Sequence, residues 1–134
     1  MSETNESQER ADRRTLSASN EANTALDLLT AYGWFADGIE AYRVAIAVAL
    51  SRGLTEEDVP ERVNAQTKYN VGSVDPEGRL RNLIILLRPQ DELRPYAAAE
   101  WLAEAGLHLI IRELDDGTLL SDIIEHDEVG ASEL

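Results

Sequence analysis

Residues 40–53 read EAYRVAIAVALSRG, and the fold turns on how this stretch is covered. From Val44 to Leu50 every residue is apolar, so a helix over about Ile39–Arg52 has no solvated side there. A helix that is apolar all round must be covered all round. In a chain of 134 residues a second copy is the expected source of part of that cover. The interface between copies is then expected at Tyr42, Ala45, Ile46, Ala49 and Leu50. Gly53 follows as the residue that stops the helix.

Upstream, Ser19 is a good N-cap, and Ala22, Ala25, Leu26, Leu29 and Tyr32 line one face of a preceding helix. Gly33 ends it, and Ala36-Asp37-Gly38 turns the chain into the central stretch. Before Ser19 the residues alternate, with Arg13, Thr15 and Ser17 on one side and Arg14, Leu16 and Ala18 on the other. That period of two predicts a short strand. Downstream, Thr55-Glu56-Glu57-Asp58 has the form of a capping box.

Residues 54–74 read as a linker. Within it, Lys68-Tyr69-Asn70-Val71-Gly72-Ser73 gathers an ammonium, a phenol, an amide and a hydroxyl in one non-helical run. Asp75-Pro76 is a helix start, and Leu80, Leu83, Ile84 and Leu87 follow at helical spacing until Arg88-Pro89. Pro95 opens the last long helix, through about Leu114, with Ala98, Leu102, Ala105 and Leu109 on one face and Trp101 beside it. Asp116-Gly117 ends that helix, and Leu119–Ile124 adds a turn. The expected fold is mostly α, a compact oligomeric domain of four to five helices with one short N-terminal strand. The domain spans 13–125, between a disordered polar leader at 1–12 and an acidic tail at 126–134.

Twenty-six Asp and Glu against twelve Lys and Arg give a formal net charge of −14. That balance opposes a broad basic surface for nucleic acid or for an anionic membrane. Eleven of the cations are Arg and only Lys68 is Lys, a bias that suits a halophilic, high-salt cytosol. No apolar leader or membrane-length run is present, so the expected location is cytoplasmic. There is no cysteine, which excludes disulfides and thiol chemistry. The glycines stand apart and form no phosphate-binding loop. Glu104 and His108 are spaced i, i+4 and read as an ordinary polar pair, while His126 sits among tail acids. No catalytic residues, cofactor or metal site are expected, so the protein reads as non-enzymatic.

Residues 13–53, a strand-like piece followed by helix, tight turn and helix, resemble the ribbon-helix-helix family of dimeric DNA binders. That resemblance implies that Arg13, Thr15 and Ser17 face the DNA major groove from a β-ribbon shared by two chains. The run Arg43-Val44-Ala45-Ile46-Ala47-Val48-Ala49-Leu50, after "LSAS" and a Leu-rich helix, is also similar to the small E subunit of DNA phosphorothioation systems. The resemblances imply a homo-oligomer with two further kinds of partner, double-stranded DNA and the proteins of a modification complex. The alternative reading is an acidic protein–protein adaptor or assembly subunit without nucleic-acid contact.

Overall fold

The computed structural model describes residues 11–61 and 64–124, so the calls on residues 1–10 and 125–134 lie outside it. In chain order the elements are β1 (Thr15–Ala18), α1 (Asn20–Ala31), α2 (Gly38–Ser51), a 3-10 turn at Glu56–Asp58 and β2 (Gln66–Asn70). They continue with α3 (Val71–Val74), α4 (Arg79–Leu87), a 3-10 turn at Pro89–Asp91, α5 (Pro95–Asp115) and α6 (Leu120–Ile124). The protein is mostly helical, with one antiparallel two-stranded sheet.

The sequence cues for the first three elements hold. Ser19 caps α1 by accepting from the Ala22 N–H at 3.1 Å, and Asp37 caps α2 by accepting from the Glu40 N–H at 3.0 Å. Gly53 has the positive φ of a helix stop, and the Thr55–Asp58 capping box forms around a single 3-10 turn.

The centre of the molecule is α5, whose residues from Ala98 to Ile110 are almost all buried. The second helix, α2, lies against it through small residues. A Cβ on Gly106 would collide with the Ala45 carbonyl, so the two backbones meet without side chains between them. This contact bears on the expectation drawn from residues 40–53. Tyr42, Ala45, Ile46 and Ala49 are buried inside a single chain by α5, α1 and the β1–β2 ribbon, while Leu50 is partly buried and Ala47 is exposed.

Three boundaries also move. The 54–74 stretch holds β2 and α3 rather than only linker. Asp75-Pro76 does not open a helix; a Pro76–Glu77–Gly78 turn intervenes and α4 starts at Arg79. Asp75 still caps that helix from a distance, accepting from the N–H groups of Leu80 and Arg81 at 3.0 Å each. Asp12, expected in the leader, instead accepts from the N–H groups of Tyr96 and Ala97 at 2.7 and 2.9 Å and caps α5.

Candidate nucleic-acid interface

The strand predicted at Arg13–Ser19 forms as β1, and its partner is β2 of the same chain. Thr15 stands opposite Asn70, Leu16 opposite Tyr69, Ser17 opposite Thr67 and Ala18 opposite Gln66. The register skips Lys68, a bulge that leaves this lysine as the extra residue on β2. Leu16 and Ala18 are fully buried, as the alternation requires, while Thr15 and Ser17 are half-buried beside exposed Thr67 and Asn70.

The inner face is tied down from three sides. Ser17 donates its N–H to Glu100 at 2.7 Å, and the Tyr42 hydroxyl donates to the Ser17 carbonyl at 3.1 Å. Tyr69 packs edge-on to Tyr42 with ring centres 5.3 Å apart. Its hydroxyl fills the space where Gly38 lacks a Cβ. Burial pushes the Tyr69 phenol above its ordinary pKa, with Asp37 and Asp27 adding to the effect, so it stays neutral.

Of the three predicted contact residues, Thr15 and Ser17 are on β1, whereas Arg13 lies two residues before it, ahead of a bend at Arg14. Arg13 is half-exposed, and its guanidinium lies 3.4 Å from the buried carboxylate of Glu100. Arg14, expected on the inner side, is exposed instead. Residues 13–18 and 66–73 hold Arg13, Arg14 and Lys68 and not one carboxylate, in a chain with 26 acids. Sequence reading missed Lys68 as a ribbon residue because QTKYN carries no period-two apolar signal.

Behind the ribbon lies a buried carboxylate. Glu104 is 1% exposed and accepts from the Ser19 hydroxyl, with His108 Nε2 at 3.0 Å and the Ser19 N–H at 3.4 Å. Burial pushes this carboxyl up, but the His108 and Ser19 hydrogen bonds outweigh it and hold Glu104 below the usual carboxylate range. A hydrolytic triad needs the imidazole between hydroxyl and carboxylate. Here the carboxylate sits between the other two, and this constellation fastens β1 and α1 to α5.

On the far side of His108, a groove of about 650 Å³ runs between α1, α5 and the 3-10 turn at Glu56–Asp58. Its floor includes Ala25, Leu28, Leu54, Val59 and Ile111, and Glu21, Glu57, Asp58 and Asp115 stand along it with Arg112. Among the described residues, no group of three or more His, Asp or Glu side chains is placed to hold a metal ion. No helix among them is long and apolar enough to cross a membrane. No protein-family model matches the chain, nor does any curated protein or solved structure.

Proposed function

We propose that this chain is a non-enzymatic, DNA-associated small subunit, an accessory protein or regulator within a prokaryotic DNA modification or defence system. The observation that carries this reading is the carboxylate-free β1–β2 ribbon. A two-stranded antiparallel ribbon fits the major groove of B-DNA, and Thr15, Ser17, Thr67 and Asn70 offer it hydroxyls and an amide. The similarity of residues 13–53 to ribbon-helix-helix proteins and to the phosphorothioation E subunit adds the DNA-modification context.

The mode differs from the one the family implies. There the ribbon is made by two copies, whereas here β1 spends its edge on β2 of its own chain. One chain thus carries a whole ribbon. Arg13 serves two roles, since its guanidinium also compensates Glu100. Exposed Arg14 and Lys68 are the phosphate contacts of this reading.

The net charge of −14 opposes DNA approach at low salt, so the test is a duplex-binding titration across a salt series. Salt-sensitive binding by the intact chain is expected. Arg14→Ala and Lys68→Ala should each lower the slope of log affinity against log salt by about one, with an unchanged melting temperature. Absence of any salt-sensitive binding overturns the reading. The second reading, a protein-binding adaptor, would then stand, and it is favoured by Leu83, Leu86 and Leu87 of α4, which are exposed.

A further inference from the structure

The ribbon makes no use of the groove between α1, α5 and the 3-10 turn at Glu56–Asp58, where His108 and Glu21 stand together. The His108 side chain is 19% exposed, and its Nε2 lies 3.0 Å from the buried Glu104. Glu104 also accepts from the Ser19 hydroxyl. Burial pushes the Glu104 carboxyl up, but these hydrogen bonds hold it below the usual range, so it is ionised and can only accept. Nε2 therefore carries the hydrogen of that contact, which leaves Nδ1 as the acceptor of the neutral ring. Glu21, on α1, holds a carboxylate oxygen 4.0 Å from this Nδ1.

A gap of 4.0 Å between two acceptors is too wide for a hydrogen bond between them. One nitrogen placed between them reaches both at about 2.9 Å and gives each a separate N–H. An ammonium has hydrogens for both, whereas a hydroxyl has one and serves a single acceptor. Beside this pair the floor of the groove is apolar, with Ala25, Leu28, Leu54 and Ile111. Its volume of about 650 Å³ lies within the range of small-molecule sites. We infer that the groove binds a small organic ammonium with an apolar body, its nitrogen bridging His108 Nδ1 and the Glu21 carboxylate and its hydrocarbon lying on the floor.

The rest of the rim selects against anions. Glu57, Asp58 and Asp115 line it with Arg112, so a ligand carboxylate or phosphate would meet more repulsion than attraction. A proton and the ligand compete for the same nitrogen. The charged groups facing the His108 ring are Glu104 on its own helix and Glu21 on α1, with Arg112 and Asp115 of α5 and Glu57 and Asp58 of the 3-10 turn along the same groove. Binding of the ammonium is therefore stronger when His108 is neutral and weaker once Nδ1 is protonated.

The experiment needs no nucleic acid, so its outcome is separate from that of the ribbon. Calorimetric titrations of the intact chain, at constant potassium chloride, would compare hexylammonium with hexanol, hexanoate and methylammonium. Hexylammonium should bind in a single saturable step. The other three should bind at least about tenfold more weakly, since they lack the second hydrogen, the positive charge or the hydrocarbon. Glu21→Gln changes an exposed side chain and should weaken hexylammonium roughly two- to fivefold. Glu92→Gln removes the same charge from an exposed residue outside the groove and should leave the affinity unchanged. Melting curves check that both variants fold. On the native chain, affinity should fall as the His108 ring is protonated, followed by its imidazole NMR signals. Four results would each overturn the inference. Hexylammonium does not bind, or hexanol binds as well, which marks a merely apolar groove. The two Glu variants lose affinity equally, which marks diffuse attraction to the net charge of −14. Protonation of His108 leaves the affinity unchanged.

Discussion

Gly106 is where a single methylene decides a helix pair. In the interior of an isolated helix Gly→Ala is stabilising by about 1 kcal/mol. Here the new Cβ would press on the Ala45 carbonyl, and neither backbone has a flexible end to move. Separating α2 from α5 loosens contacts along both, and overpacking of this kind costs roughly 1–3 kcal/mol. Gly106→Ala should therefore lower the melting temperature; a rise would show that the helices do not approach so closely. Asp75 is a second such residue. Burial pushes its carboxyl up, but the Tyr96 hydroxyl and the N–H groups of Leu80, Arg81 and Arg79 hold it below the usual range. Burial, with the same Asp75 contact adding to it, raises the Tyr96 phenol. Because the folded pKa is depressed, the stabilisation is fully present above the unfolded value of about 4 and is lost as pH falls through the folded one. Asp75→Asn should thus be less stable than the native chain at pH 7 by roughly 1–2 kcal/mol. That gap should close as pH falls below about 4. A gap in melting temperature that is the same at pH 7 and pH 3 would remove this account.

Among the elements, caps and stops were legible wherever the signal was local. Ser19, Thr55, Gly53 and Pro95 each act within one turn of their own position, and the structure places them as the sequence suggests. What escaped is non-local. Four of the five residues of β2 are exposed, so QTKYN has no buried face to imprint an apolar pattern. α4 shows the opposite error: Leu80, Leu83, Ile84 and Leu87 have the spacing of a core face, yet only Ile84 is fully buried. Periodicity reports that a face is apolar, not whether this chain covers it. The same distinction applies to α2, whose buried side chains are covered within the chain by α5 together with α1 and the ribbon. Within the candidate interface, the strand and its buried side were legible, but the Arg13–Glu100 pairing was not, because 87 residues separate the partners. Asp12 is a further long-range partner, a carboxylate that caps α5 from the start of the described chain. Asp12→Ala should free both N–H groups at the α5 N-terminus and cost about 0.5–2 kcal/mol. Equal melting temperatures for Asp12→Ala and the native chain would show that this cap is replaceable by water.

For the molecule as a whole, the dominant electrostatic fact is the excess of fourteen negative charges on 134 residues. Among the described residues, two partly buried pairs stand out. Arg52 meets Glu113 at 2.8 Å and Arg88 meets Asp91 at 2.6 Å, each with side chains at most a quarter exposed. Salt weakens such pairs little, because screening acts mainly on charges in contact with water. The exposed acids outnumber them, and their mutual repulsion disfavours the compact state. The screening length falls from about 10 Å at 0.1 M to about 3 Å at 1 M, so most of that repulsion is removed over this range. The melting temperature at pH 7 should therefore rise between low and molar potassium chloride. Salt also strengthens apolar burial in general, so a rise alone does not identify its cause. The control is to repeat the series near pH 4.4, where the sequence carries no net charge. Self-repulsion is absent there, and the salt-dependent rise should shrink sharply even though the depressed carboxyls of Asp75 and Glu104 still support the fold. A rise of the same size at both pH values would assign the effect to apolar burial. No rise at pH 7 would mean that the acids are spaced widely enough not to oppose folding.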